Sequence, residues 1–360
     1  MKKPFLILFL FVNSLVQGQD RYQYQPPELL GDSWQISEAT DEGLKTELFE
    51  KFFNALGAQE HKMHSMLIVK NGKLVMEEYF NGYDQGKRQD LRSVTKSVIS
   101  LLVGIAIEKG RIKSVDDPIS HYLPRFRKSM NADPDKQLIT IRHLLTMSSG
   151  MDCNDWDKKS AGQEDKLYKK KNWLDHMAGL SVIHAPGSES YYCTGGVMLL
   201  ARILEFTSGM DWRLQAEEYL FKPIGINDVA YGHTSKKQMP SEAQRLYMRP
   251  RDVAKLGHLV LNWGQWEGKQ LVPASWIEQI SFRKTQISGV DYSYLWWKLP
   301  FEKNGMKVDA TCATGNGGQY LLVFPEHDLV AVFTGGAYNS EEDKLPFAIV
   351  NRVILPSLSR

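Results

Sequence analysis

The chain has 360 residues, 44 Lys and Arg against 42 Asp and Glu, and a formal net charge of +2. That balance gives no electrostatic case for a nucleic-acid partner or an anionic membrane surface. The length suits one large core or two intimately packed lobes, and three cysteines are too few for a disulfide-built scaffold.

Residues 1–18 read as a secretory signal. Lys2 and Lys3 form a charged start, Pro4 to Val12 a short apolar run, and Val16-Gln17-Gly18 a small-residue cleavage site before Gln19. The run is too short to span a membrane, and no cysteine follows the cleavage site to carry a lipid anchor. Later apolar stretches are also too short for stable membrane insertion. Cleavage would remove two lysines and no acids, leaving 42 basic residues against 42 acidic ones. A secreted product is expected, which in a Gram-negative bacterium means the periplasm.

Gly31-Asp32-Ser33-Trp34 resembles the opening block of the SGNH esterases, yet no aspartate in the chain has the required histidine three residues after it. A turn with an aromatic anchor is the better reading. His61-Lys62-Met63-His64 would put two imidazoles on one face of a helix. No His-x-His-x-Asp or His-Glu-x-x-His accompanies it, so neither metal nor other cofactor is expected. From Ser65 to Tyr79, two apolar runs flank Asn71-Gly72, a strong hairpin signal.

The longest apolar-periodic segment then opens with Ser93-Val94-Thr95-Lys96. Residues three apart share a helix face, so the serine hydroxyl and the lysine ammonium would lie side by side. A helix N-terminus favours developing negative charge, and an amine beside a hydroxyl there can make serine nucleophilic without histidine. Val94, Val98, Leu101, Leu102 and Ile105 form the expected buried stripe, and the helix should end near Gly110. Ser-x-x-Lys recurs at Ser281 to Lys284, so the spacing alone decides nothing.

From Asp116 to about Pro250 the pattern is helical and loop-rich, clearest at Ile141 to Met147 and Gly196 to Glu205. The run Lys166 to Lys171 reads as a solvated face, and His143 as a structural hydrogen-bonding residue. Further helices are expected over Arg251 to Asn262 and Pro273 to Ile280, the second with proline in its first turn. Strands follow at Tyr294 to Trp297, Gln319 to Phe324 and Leu329 to Thr334, then a helix around Phe347 to Ile354. Strands at both ends of a helical middle imply one α/β sheet domain, residues 19–360, with a mostly α-helical insertion over about 116–250.

Two later segments carry chemistry. Pro186-Gly187-Ser188-Glu189-Ser190-Tyr191-Tyr192-Cys193-Thr194-Gly195-Gly196 leads two tyrosines into an apolar helix, and a tyrosine beside an ammonium can shuttle a proton. Thr314-Gly315-Asn316-Gly317-Gly318-Gln319 precedes a strand, where glycines let substrate approach backbone N–H groups. No Gly-x-Ser-x-Gly elbow is present, which argues against an α/β-hydrolase.

In this order the motifs resemble the serine β-lactamase and penicillin-binding-protein superfamily, above all its class C-like esterase, D-aminopeptidase and aminohexanoate-dimer hydrolase branch. That superfamily carries Ser-x-x-Lys, Ser-Asp-Asn and Lys-Thr-Gly. Here Ser93 to Lys96 matches the first, Tyr192-Cys193-Thr194 looks like the Tyr-x-Asn form of the second, and Gly315 to Gln319 looks like the glycine-rich form of the third. Asp116-Asp117-Pro118, Ile141 to Gly150, Arg251-Asp252-Val253-Ala254 and Tyr294-Leu295-Trp296-Trp297 are similar to supporting segments of that branch. The resemblance implies an antiparallel sheet flanked by helices, with the helical insertion.

By that resemblance Ser93 attacks an ester or amide carbonyl, Lys96 and Tyr192 carry its proton, and the N–H groups of Ser93 and Gln319 hold the oxyanion. Thr194, Asn316, Gly317 and Gly318 complete the substrate-binding set. Tyr191 is the rival of Tyr192; counting back from Thr194 selects Tyr192. Thr194 stands where the branch has asparagine, and Asn316 where it has the lysine or histidine that helps hold a substrate carboxylate. Both departures weaken the case for a β-lactamase or carboxypeptidase and leave acyl transfer to a small-molecule or short peptide-like substrate. An acylating sensor without efficient turnover is the alternative. Trp296 and Trp297 read as core, with one ring free to line the pocket. One disulfide is expected, preferably Cys153 with Cys193, since both flank segments placed at the site while Cys312 sits in an apparent strand; the sequence does not decide the pairing.

Overall fold

A computed structural model describes residues 21–130, 133–233 and 240–359; the signal-like residues 1–18 lie outside them. The first described helix, α1 (Thr46–Leu56), buries Phe49, Phe53 and Leu56. Then come β1 (Met63–Lys70) and β2 (Lys73–Tyr79), closed by the expected turn at Asn71-Gly72, both with positive φ. The remaining strands of this sheet are β3 (Thr285–Ile287), β4 (Val290–Ser293), β5 (Trp296–Lys303), β6 (Met306–Gly315), β7 (Gln319–Phe324) and β8 (Leu329–Gly335). They form one eight-stranded sheet in the order β2-β1-β8-β7-β6-β5-β4-β3, antiparallel at each pairing.

Both faces of the sheet are covered. Leu67, Val69, Leu321, Val323, Val330 and Val332 face the helical side. Their alternating neighbours Met66, Ile68, Tyr320, Leu322, Ala331 and Phe333 pack with Phe49, Phe53 and the closing helical segments Leu345–Ile349 and Val350–Ile354. Strands buried on both faces read as continuous apolar runs, which is why the central strands were legible.

Helix α2 (Val94–Glu108) begins one residue after Ser93, which is its N-cap. The expected one-sided stripe is instead burial all round, from Val94 to Ala106, because sheet, insertion and the helix α6 (Ala274–Ser281) enclose it together. A Cβ on Gly104 would stand 2.5 Å from the Trp276 ring.

Between Asp116 and Pro250 lie α3 (Ile141–Leu145), α4 (Thr194–Ser208), several other short helices, and the strands Val229–Gly232 and Arg245–Met248; the latter is the middle strand of a small sheet, pairing with Val229–Gly232 on one side and Gln89–Asp90 on the other. Helix α5 (Pro250–Leu261) packs on β1, β7 and β8. Its buried Arg251 donates to the carboxylates of Glu77 and Asp32 and to Glu28 O, tying the N-terminal segment to the sheet. Trp34, 4% exposed, is the anticipated anchor, donating from Nε1 to Arg251 O at 3.2 Å.

Several expectations need correction. His61 lies outside any helix and His64 is in β1; alternation of apolar residues through Met66 and Ile68 makes this stretch a strand. Tyr294 and Leu295 are not strand residues. Both have positive φ, +42° and +67°, and they form the tip of the hairpin that pairs Ser293 with Trp296, the geometry whose twist suits adjoining strands. Pro273 is the N-cap of α6 rather than a first-turn residue. Helix α1, strands β3 and β4 and the small sheet were not foreseen; the strands are short, polar-interrupted runs without a clear period, whereas α1 does carry helical spacing in Phe49, Phe53 and Leu56.

Candidate active site

The residue before Ser93, Arg92, has φ +51°, a backbone conformation costly for a non-glycine residue and persisting only where surroundings enforce it. Asp90 does so: its Oδ1 accepts from Arg92 N at 3.0 Å, and its Oδ2 pairs with Arg92 Nε at 3.2 Å and Arg245 Nη2 at 3.0 Å. On either side Leu91 N donates to Leu246 O, and Leu246 N to Thr95 Oγ1, each at 3.0 Å. Strand β6 closes the cradle. A Cβ on Gly315 would stand 2.5 Å from Leu91 O, so only glycine lets the strand end lie this near.

A serine at an N-cap ordinarily folds its hydroxyl back onto the helix. Ser93 makes no capping bond. Its Oγ accepts instead from Lys96 Nζ at 2.9 Å, and its N–H donates to no backbone acceptor among the described residues. Lys96 is 9% exposed, and no carboxylate forms an ion pair with it among the described residues. Its ammonium lies over the Tyr192 ring, 5.1 Å from the centroid.

Tyr192 is buried, whereas Tyr191 is only partly buried and its hydroxyl is turned away to donate to Glu189. Tyr192 is therefore the tyrosine at the site. Its ring stacks with Trp156 (5.3 Å, 4°) and Trp297 (6.0 Å, 15°), so Trp297 is a site aromatic while Trp296 is buried core. The Tyr192 hydroxyl bonds to neither Ser93 nor Lys96. The ring thus faces the Lys96 ammonium, while the direct hydroxyl contact that a proton shuttle would use is not present.

The tyrosine loop hangs from α3 and a disulfide. Tyr191 N donates to Met147 O at 2.9 Å, and Gly187 N to Ser148 O at 2.8 Å. Cys153 is joined to Cys193, Cα atoms 5.4 Å apart, and Cys312 is a buried free thiol. His143 is the structural residue expected, in a reciprocal cap with Thr140. Below the site, Leu295 N donates to Leu145 O and Ser97 Oγ to Leu295 O, while Arg142 joins Asp116 and the Tyr294 hydroxyl.

Thr194 begins α4 and lines the cleft with Ser93, Lys96 and Asn316. Its hydroxyl is directed at Asp155 Oδ2, 2.7 Å away. Asn316 is held by Asn339 through two bonds, at 2.7 and 2.9 Å. Gly317 and Gly318, φ +94° and +92°, turn the chain from β6 into β7. Gln319 is 1% exposed and its side chain is spent on Gly335 O and N, leaving only its backbone for substrate. Ser281, the rival serine, caps its own helix end by donating to Ile277 O at 2.9 Å.

Sequence reasoning missed Asp155, Glu164, Tyr168 and Arg245. Glu164, Tyr168 and Arg245 line the cleft. Burial first, then the Glu164 charge, push the Asp155 carboxyl up to about 6, against the opposing pull of Lys96. Its two-residue distance from Cys153 was the available signal.

The Beta-lactamase family model matches residues 49–350. The chain belongs to the beta-lactamase family. The 6-aminohexanoate-dimer hydrolase of Paenarthrobacter ureafaciens is 22% identical over 289 residues, 74% of this chain and 71% of its own. Among solved structures, EstCE1, a hydrolase with promiscuous acyltransferase activity, superposes with TM-score 0.69 at 17% identity, over 88% of this chain and 100% of that one. The octameric penicillin-binding protein homologue from Pyrococcus abyssi gives TM-score 0.64 at 17% identity, over 87% and 78%. The antiparallel sheet with flanking helices is thus a fold shared with these two solved structures.

Proposed function

We propose that this beta-lactamase-family chain is a secreted serine hydrolase that cleaves an ester or amide through an acyl-enzyme on Ser93. The observation that carries the reading is the Lys96 Nζ to Ser93 Oγ contact of 2.9 Å at the N-terminus of a buried helix. Ser93 Oγ attacks the carbonyl carbon as Lys96, in its neutral form, takes the hydroxyl proton. The oxyanion is received by the N–H groups of Ser93 and Gln319; losing one such donor typically costs about 3 kcal/mol of transition-state stabilisation. The proton passes through Lys96 and Tyr192 to the leaving group, and water then reverses the sequence to free Ser93.

Asn316 supplies no cation for a substrate carboxylate, which favours esters and amides over β-lactams or carboxy-terminal peptides. The description of EstCE1 as a hydrolase with acyltransferase activity and the name of the 6-aminohexanoate-dimer hydrolase support acyl-group hydrolysis as the reaction. Export is supported by the pattern of residues 1–18 and by the Cys153–Cys193 bridge, since such bridges persist in oxidising compartments. Cell fractionation with a C-terminal tag tests it: a cytoplasmic, uncleaved chain refutes export.

A second reading, acylation without efficient turnover, is favoured by the Tyr192 hydroxyl, which bonds to neither Ser93 nor Lys96. A short-chain p-nitrophenyl ester separates the two. Steady release of nitrophenol supports the hydrolase, one stoichiometric burst supports the sensor, and no release with no labelling of Ser93 by a fluorophosphonate refutes both. A panel of esters, linear amides and a chromogenic cephalosporin then ranks the substrate classes.

A further inference from the structure

The stretch from Cys153 to Trp156 lies along Tyr192 to Thr194 and is fastened to it repeatedly. Beyond the disulfide, Asp155 N donates to Tyr192 O at 2.8 Å. Thr194 N and Thr194 Oγ1 both donate to Asp155 Oδ2 at 2.7 Å. The other carboxylate oxygen accepts from Glu164 N at 3.1 Å. Trp156, half exposed, lies flat against the Tyr192 ring.

Asp155 therefore gathers donors from two separate stretches onto one carboxylate. The Thr194 N–H, at the start of α4, has no partner within its own helix, and a carboxylate there also meets the positive end of the helix dipole. Hydrogen bonds to an ionised acceptor are short and strong. Since Thr194 turns its hydroxyl onto Asp155, that hydroxyl is engaged in holding the loop. The loop in turn carries the ring that faces the Lys96 ammonium.

We propose that Asp155 is a positioning residue of this site, fixing Tyr192 and Thr194 relative to Lys96 through its bonds to the Thr194 N–H and hydroxyl. The proposal rests on the acyl-enzyme reading above. A plain structural tie would affect melting and leave turnover alone.

The test uses the full chain with its disulfide intact, p-nitrophenyl acetate as substrate, and fluorophosphonate labelling of Ser93. Asp155→Ala is expected to lower kcat about tenfold or more while KM moves less than about threefold. Asp155→Asn retains an oxygen for Thr194 and is expected to recover most of that loss, with an unchanged melting temperature. Thr194→Val should fall between them. Equal losses in the Ala and Asn variants overturn the proposal in favour of a pure charge effect, and so does a rise in KM with kcat intact. If Asp155→Ala does not fold, a Thr194→Val variant turning over at the wild-type rate is the overturning result. An unaltered chain that neither labels nor turns over ends the acyl-enzyme reading and this one together. An active chain indifferent to Asp155→Ala ends only this one.

Discussion

Ser93 and Lys96 meet because they stand three positions apart at the opening of α2, whereas Tyr192 reaches the same lysine only after the stretch from Met147 to Cys153 and the distant Trp297 have come together around it. The first wall of the cleft is local geometry set on a helix buried all round. The second is a loop whose place depends on a disulfide, a carboxylate and a stack of rings. The contrast separates two kinds of fragility. A substitution in the first wall removes a reacting atom and leaves the scaffold standing, while one in the second shifts a correctly chosen atom out of place.

The largest effect expected is from Ser93→Ala. Ester hydrolysis and fluorophosphonate labelling should fall to background with the melting temperature nearly unchanged, as measured by steady-state assay, gel labelling and calorimetry. Residual labelling elsewhere would identify another nucleophile and break the local half of the comparison.

Next come the proton carriers. Lys96→Ala is expected to cut kcat by about 10² to 10⁴-fold, and Tyr192→Phe by less. The double variant should be no worse than about the larger single loss, because both groups act on one proton. Additive losses in a double-mutant cycle would show two independent roles.

The tertiary half is sharpened by the Cys153→Ser, Cys193→Ser pair. The bridge closes a sequence separation of 40 residues, for which the chain-entropy picture gives about 4 kcal/mol of stability. Chemical denaturation should show a loss of that order, and kcat should drop at temperatures where the variant remains folded. Full activity in a destabilised variant would mean that Asp155 and the rings suffice to hold the loop.

Gly315→Ala probes where the walls join. Its methyl group would press on Leu91 O, 2.5 Å away, so the segment bearing Arg92 and Ser93 has to move. Reduced labelling of Ser93 with a modest fall in melting temperature is expected; wild-type labelling would show that the cradle yields freely. The smallest effect is at Ser281→Ala, where one helix-end hydrogen bond to Ile277 is lost and activity should be unchanged within error.

The sheet edges and the site differ in how far they could be read in advance. Apolar runs such as Gln319 to Phe324 declared themselves because both faces of the central sheet are covered. Strands β3 and β4, at the margin with mixed polarity, carried no such pattern. Tyr294 and Leu295 misled for a different reason: aromatic and branched residues suit a strand, yet here they occupy a left-handed turn pinned by Leu145 and Ser97.

What the sequence by itself determined are features set by neighbours a few residues apart. The Ser93–Lys96 pairing follows from helical periodicity, and the β1–β2 turn from Asn71-Gly72. Only the tertiary structure decided that Thr194 turns to Asp155, that Lys96 meets the ring of Tyr192 rather than its hydroxyl, and that Gln319 spends its side chain on Gly335. Those outcomes depend on which polar groups are left without partners once distant segments have packed, and a buried donor or acceptor then takes whichever partner the packing brings within reach.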